Sequence, residues 1–539
     1  ELVLALLVAA ALARGVSGAS GGALAAWLVA TAVCLFRRGA FGEIDHNVTE
    51  VLGGLLLALL ALRLFSAERT TARPWLVPIL WASGVLVAMG FFAGLVLASG
   101  LVAAGHLAVD LSNAQSAGRR SALLSAGYAL AAVVLPFTSS WRVRPDPGDP
   151  WRLGPVYVLI LAAAAAGNAV GSLLAAARHR RLSLGVAFVP AGSLLAAAVV
   201  AFLQDRRAWG GFAKGLGFIG ARDPWLSTID EFQPLLSSSS AALVSALPAL
   251  LVGAVAVTLA LAVLPKFKAE ERWSFVAIAV PFVLYALLAF AQKRFLPPAT
   301  AFAAAAAGAA WMFVKSREAF RWAVLASLVL GLLVASSNLF AYAGSALRHE
   351  VVPEISAGEA VGAMLTQATP DPGNPPAWGV LAPWEYGHPI LWTSGRPVAL
   401  NNFGSFHSGF ARATRLFLET SPSRAIAELS ALRLRYVVAA YGPNVVPSAA
   451  RSLGEDPRRY FPDGYDPRRV ARYVTTPEGG RTLAVRLHRD DAAPLPDDGE
   501  AERAALRRFK KVWESPEEAP GPNGEPVPFL KLFEILPPA

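Results

Sequence analysis

From residue 1 to about 343 the chain is a succession of apolar runs broken by short polar clusters; from about 344 to 539 apolar and polar positions mix as in a water-soluble domain. A helix needs about 20 mostly apolar residues to cross a bilayer. By that measure the candidate spans are 1–14, 22–36, 49–65, 75–90, 92–110, 121–136, 154–176, 184–203, 240–264, 273–291, 296–313 and 320–342. The run 75–109 exceeds one span and is split near Gly90. The pattern predicts an α-helical polytopic membrane domain (1–343) followed by a mixed α/β soluble domain (344–539). In the second part, 354–368 and 423–433 have helical spacing and 503–513 reads as a surface helix. The segments 378–382, 396–400, 434–440 and 482–487 read as short strands, and 488–500 as a loop.

Composition sharpens this picture. Charged residues make up 16% of the chain and hydrophobic ones 55%, against about 25% charged in soluble proteins. The net charge is +10, yet the basic residues gather in short loops rather than in a nucleic-acid-binding face, so no nucleic-acid partner is expected. The clusters at 68–73, 118–120, 177–181, 266–272 and 315–321 are short and rich in Arg and Lys. The bias of such loops toward the cytoplasm puts 37–48, 137–153, 204–239, 292–295 and the C-terminal domain on the outer face. The single cysteine, Cys34, lies in an apolar run, so no disulfide framework is expected. The chain opens on Glu1 inside an apolar run, without an initiator Met. A truncated N-terminus is therefore expected.

The outer face concentrates the polar chemistry. In "FGEIDHNVTE" (41–50), Asp45, His46, Asn47 and Glu50 stand just before an apolar run. Helix capping explains them as well as metal ligation does: Asn47 with Glu50 three positions on forms a capping box. The sequon Asn47-Val48-Thr49 is read as coincidence, since Asn47 is too close to the membrane. The loop 204–239 carries Thr228-Ile229-Asp230-Glu231, which is either a solvated acidic loop or a site. Lys293 and Arg294 sit between two apolar runs with almost no loop. They either snorkel to the interface or hold an anionic headgroup such as a phosphate. Trp384-Glu385-Tyr386-Gly387 follows a strand-like segment and forms either a shallow aromatic–carboxylate pocket or ordinary packing.

The order of these four clusters resembles the catalytic subunit of oligosaccharyltransferase, a family of GT-C-type membrane enzymes with thirteen spans, a long fifth external loop bearing a Thr-Ile-x-Glu motif, and a Trp-Trp-Asp-Tyr-Gly motif in the C-terminal domain. The resemblance covers nearly the whole chain. It implies transfer of an oligosaccharide from a polyprenyl-diphosphate carrier to asparagine of an acceptor protein, at the outer face of the cell membrane. It implies that Asp45, Asn47 and Glu231 hold Mg²⁺ or Mn²⁺, with Glu231 also engaging the acceptor amide. Arg294, beside Lys293, would contact the donor pyrophosphate, and Trp384, Glu385 and Tyr386 would bind the acceptor sequon. The family's first catalytic Asp is expected upstream of residue 1, so the resemblance implies that the chain is inactive in this form. Pro383 stands where the family has its first Trp, Glu385 where it has Asp, and Asn47 where a stronger ligand is usual.

Two other readings compete. One is a polyprenyl-phosphate-dependent glycosyltransferase that adds a sugar to a lipid, glycan or other protein. The other is a transporter, which requires ionisable residues within its spans. His106 and Asp110 are the notable ones, and their place near an inner helix end fits a cap.

Overall fold

The computed structural model describes residues 2–31, 46–65, 73–137, 154–180, 184–203, 224–225, 232–235, 241–266, 268–327, 329–330, 333, 353–401, 404, 409–462, 473–521 and 524–537. The chain divides into two compact units: Glu1–Gly220 with Asp230–Ala343, and Ala221–Ile229 with Gly344–Ala539. The loop 204–239 therefore does not lie wholly in the first unit, as the sequence reading placed it. Trp225, in that loop, packs with the C-terminal part of the chain.

The first unit contains the helices α1 (Leu2–Thr31), α2 (His46–Leu64), α3 (Leu76–Phe91), α4 (Leu95–Ser112), α5 (Arg119–Val134), α6 (Pro155–Arg178), α7 (Leu184–Leu203), α8 (Ala241–Val263), α9 (Ala269–Ala291) and α10 (Leu296–Val314). Among the described residues six helices are long and apolar enough to cross a bilayer, and two more are shorter but apolar. The chain is a multi-pass membrane protein. The split near Gly90 is real: α3 ends at Phe91 and α4 begins at Leu95. The described parts of the expected spans 1–14 and 22–36 lie in the two arms of α1, which breaks at Gly18 (φ 71°). A Cβ on Gly22 would come within 3.0 Å of the Ala10 carbonyl, so the second arm folds back on the first.

Helix α10 is the centre of this unit. Every residue from Ala303 to Ala307 is fully buried, as are Ala309 and Ala310. Its small side chains let neighbouring backbones approach, the usual device where lipid gives no hydrophobic drive for helix association. At the crossing with α1, a Cβ on Gly308 would lie 2.4 Å from the Gly21 carbonyl oxygen, and the Ser17 hydroxyl donates to the Ala309 carbonyl.

The second unit is α/β. A four-stranded sheet has the order β1-β2-β6-β3, from β1 (Gly379–Leu381), β2 (Leu434–Ala440), β3 (Phe509–Glu514) and β6 (Leu530–Ile535). The β1–β2 pair is parallel and the others antiparallel; β2 pairs with β6 through Val437↔Phe533. A separate ribbon joins β4 (Glu518–Pro520) to β5 (Pro526–Pro528). The helices include α11 (Pro353–Ala368), α12 (Trp384–Ser394), α13 (Phe410–Leu418), α14 (Pro422–Ala431), α15 (Gly442–Ser452), α16 (Leu483–His488) and α17 (Glu500–Leu506).

Three expectations are corrected here. The segment 482–487 is helix rather than strand, and all six residues of α16 are buried. A short segment buried on every side has no polar face to reveal its period. The expected helix 503–513 stops at Leu506, and Phe509 begins an edge strand whose lysines face outward. The segment 396–400 contributes only the isolated bridge Val380↔Val398.

Candidate functional site

In the first unit, α9 ends at Ala291, and Gln292 after it has extended backbone (φ −148°, ψ 127°). Lys293–Phe295 then form one turn of 3-10 helix, and α10 restarts at Leu296-Pro297-Pro298. Proline suits a first helical turn because its missing N–H has no partner to lose there. The break presents Lys293 and Arg294 inside the bundle, each only 5% exposed. Snorkelling is excluded, since it would put both head groups in water.

Arg294 is surrounded. Its Nη2 lies 3.5 Å from Oε2 of Glu50, which is 1% exposed. The guanidinium carbon stands 5.3 Å from the Phe232 ring centre and 5.4 Å from that of Phe295, within cation–π range. Two backbone hydrogen bonds tie the Phe232 segment to the same turn: Lys293 N–H donates to the Gln233 carbonyl (3.0 Å) and Leu235 N–H to that of Phe290 (3.4 Å). Tyr285, fully buried, stacks on Phe302 at 5.6 Å and interacts electrostatically with both Glu50 and Arg294. Its hydroxyl has no hydrogen-bond partner among the described residues.

The structure thus brings together Arg294, Glu50 and the segment that begins at Phe232. Glu50 was read in the sequence only as half of a capping box. No local signal marks it, because its partner lies 244 residues away. Asp45, Glu231 and the side chain of Asn47 lie outside the described residues, although Asn47 itself belongs to the first turn of α2. Among the described residues no three His, Cys, Asp or Glu side chains gather as a metal site.

In the second unit, β1 leads through Ala382-Pro383 into α12, so Trp384 and Glu385 occupy that helix's first turn. Tyr386 is buried, and a Cβ on Gly387 would lie 2.0 Å from the Leu400 carbonyl oxygen, so only glycine fits. Trp225 meets Trp384 edge-on at 5.8 Å and Phe410 at 5.7 Å. Sequence reading did not single out Trp225; an isolated Trp in a long loop carries no periodic signal. A recess beside this cluster is lined by Trp384, Glu385, Leu400, Thr414, Val445 and Ser448. The indole N–H of Trp384 and the hydroxyl of Thr414 are buried there without a hydrogen-bond partner among the described residues. Buried polar atoms are rarely left so, and a polar ligand group would satisfy them.

His106 and Asp110 have a structural role, as the cap reading expects. Asp110 Oδ2 accepts the Ser121 N–H (2.7 Å) in the first turn of α5, and the Arg120 guanidinium lies 3.4 Å from His106 Nδ1.

No protein-family model matches this chain, nor does any curated protein. Solved structures do. The archaeal oligosaccharyltransferase AglB from Archaeoglobus fulgidus, in complex with an inhibitory peptide and a dolichol-phosphate, is 16% identical, with a TM-score of 0.64 over 95% of this chain and 67% of that one. An Archaeoglobus fulgidus oligosaccharyltransferase tethered to an acceptor peptide containing an NVT sequon is 16% identical, with a TM-score of 0.62 over 95% and 67%. The same organism's enzyme in complex with Zn and sulfate is also 16% identical, with a TM-score of 0.62 over 99% and 75%. The chain shares their fold, a polytopic helical unit followed by an α/β unit.

Proposed function

We propose that the protein transfers an oligosaccharide from a polyprenyl-diphosphate carrier to the side-chain amide of an acceptor asparagine, at the outer face of the cell membrane. One observation carries this reading. A buried arginine, Arg294, is gripped by Glu50, three residues after Asn47, and by Phe232, the residue after Glu231. A guanidinium inside a membrane domain is costly, and an anionic headgroup is the chemistry that makes use of it. The fold shared with structures that hold a dolichol-phosphate and an acceptor peptide supports the reading further.

In the proposed reaction Glu231 holds the acceptor amide and weakens the delocalisation of its nitrogen lone pair. That nitrogen attacks the anomeric carbon with inversion, the carbon–oxygen bond to the diphosphate breaks, and the nitrogen gives up one of its two protons to the departing diphosphate. Arg294 and Lys293 take up the charge that develops on the leaving diphosphate. Asp45, Asn47 and Glu231 offer hard oxygen donors that suit Mg²⁺ or Mn²⁺. The cation would neutralise the leaving group. Trp384, Glu385 and Tyr386 read the acceptor at the recess of the second unit, and the unpartnered atoms of Trp384 and Thr414 are what a sequon hydroxyl would satisfy. Orientation follows from the short basic loops: the C-terminal unit faces outward, across the inner membrane.

The test is to express the full-length protein beside a lipid-linked glycan donor and an exported, sequon-bearing acceptor. Glycosylated acceptor with the wild type, and none with Glu231→Gln or Asp45→Ala, is expected. An acceptor left unmodified by the wild type, or a sugar found instead on lipid or glycan, defeats the reading.

A further inference from the structure

One side of helix α12 packs on α11. A Cβ on Gly358 of α11 would lie 2.7 Å from Cβ of Pro389, and one on Gly362 would lie 2.8 Å from that of Thr393. Pro389 and Thr393 therefore face α11, with the buried Tyr386 and Ile390 beside them. At about 100° per residue, Trp384, Leu391 and Trp392 fall on the opposite side, within an arc of about 100°. Leu391 is 39% and Trp392 88% exposed, and among the described residues of the second unit the only other exposed large apolar side chain is Val474. A lone exposed apolar side chain is ordinary on a protein surface, but tryptophan is enriched among the residues that carry interface affinity.

The same side of α12 carries the recess. Thr414 is 3% exposed, and its hydroxyl and the Trp384 indole N–H line the recess without a hydrogen-bond partner among the described residues. Thr414 withholds its hydroxyl from the carbonyl four residues back, the bond that Thr300 and Thr366 make in their own helices. The recess has room for about one group the size of a hydroxyl, so any bulky side chain of the same ligand lies outside it. Trp384 and Trp392 are eight positions apart, about 12 Å along the helix axis, a distance that about four residues of extended chain cover.

We infer that Leu391 and Trp392 form a second acceptor subsite, which takes a bulky apolar side chain about four residues from the one whose hydroxyl fills the recess. The inference rests on the reading of the recess as the acceptor site. The occupant is an extended acceptor polypeptide, because the apolar pair continues the side of α12 on which the recess already offers unpartnered polar atoms to a ligand. Trp392 determines specificity and takes no part in the transfer step.

The measurement is the binding of fluorescein-labelled peptides to the full-length protein in nanodiscs, read by anisotropy. Each peptide holds one Asn-Ala-Thr sequon among Gly and Ser, and a single Phe is walked along it. Phe about four residues from the Thr, on one side of it, should tighten binding about tenfold. Trp392→Ser should abolish that gain, bind the Phe-free peptide as the wild type does, and keep the unfolding midpoint; Leu391→Ser should abolish part of the gain. A wild type that binds none of the peptides, or gains nothing from Phe at any position, overturns the inference, as does a gain that survives Trp392→Ser. If Trp392→Ser alters only the quenching of tryptophan fluorescence by brominated lipids, a lipid surface is its partner and the inference falls. A Trp392-dependent gain that persists when Val replaces the Thr of the sequon counts against the recess as the acceptor site and leaves the apolar subsite standing.

Discussion

Each unit buries an arginine against a carboxylate, and the two pairs are built differently. In the C-terminal unit Arg486 Nη2 meets Asp498 Oδ2 at 2.7 Å, with side chains 1% and 4% exposed. Arg486 also donates to the Ala493 carbonyl (2.9 Å), and Asp498 accepts the Leu495 N–H (2.6 Å). Those partners lie within twelve residues of one another, so a local loop closes on itself. In the membrane unit the Arg294–Glu50 contact is 3.5 Å and joins residues 244 positions apart. A short pair between residues close in sequence pins a local loop. A long pair between distant elements is what an anion can enter. Buried charge in itself therefore does not distinguish structure from function; the sequence separation of the partners and the length of the contact differ between the two pairs.

The comparison can be broken at several points. The largest effect is expected from Asp498→Ala, which strands Arg486 without its counter-charge and should cost about 3–5 kcal/mol of stability, read as a lowered unfolding midpoint. An unchanged midpoint would mean that the closed network pins nothing.

Next comes pH, through His488 at the end of the same short helix. Burial, with Lys531 nearby, lowers its pKa to about 4. The neutral ring donates from Nε2 to the Pro528 carbonyl (2.8 Å) and accepts the Tyr473 hydroxyl at Nδ1 (3.1 Å). The unfolded chain, with its ordinary histidine pKa near 6.5, binds a proton between about pH 6.5 and 4 that the folded chain refuses. Stability is thus complete above about pH 6.5 and falls by about 3 kcal/mol as the pH drops to about 4. Denaturant titrations across that window should show the loss, and His488→Gln should flatten it.

A smaller and sharper contrast pairs two identical substitutions. Lysine keeps the charge but not the planar fork. Arg486→Lys should cost about 1.5–3 kcal/mol of stability and leave transfer unaltered. Arg294→Lys should leave the unfolding midpoint unaltered and slow transfer by roughly 100-fold. If the two variants behave alike, the distinction between the pairs fails. At the far end of the scale, Arg412→Ala removes an ion pair with Glu428 that is open to solvent. No change in midpoint or transfer is expected, because exposed pairs contribute little.

The described membrane helices were legible in the sequence because length and apolarity alone define them, and the gap between the candidate spans 1–14 and 22–36 holds the break at Gly18, whereas the candidate span 320–342 lies in part outside the described residues. The strands Gly379–Leu381 and Leu434–Ala440 were legible from their apolar runs. Helix α16 was not: it carries Arg486, paired with Asp498, and His488, bonded to Tyr473 and the Pro528 carbonyl, and the segment imitates alternation. At the candidate site, Arg294 was marked by its position between two spans, and Trp384-Glu385 by composition. Glu50 and Trp225 gave no signal, because their roles depend on partners that only the fold supplies.

The central claim is that the turn holding Arg294 receives the donor diphosphate. The most direct test is a cryo-EM structure of the full-length protein with a non-hydrolysable polyprenyl-diphosphate sugar analogue. The account predicts diphosphate oxygens within about 3 Å of the Arg294 guanidinium, with the Glu50 contact lengthened. Diphosphate density bound elsewhere, with the Arg294–Glu50 pair undisturbed, would contradict it.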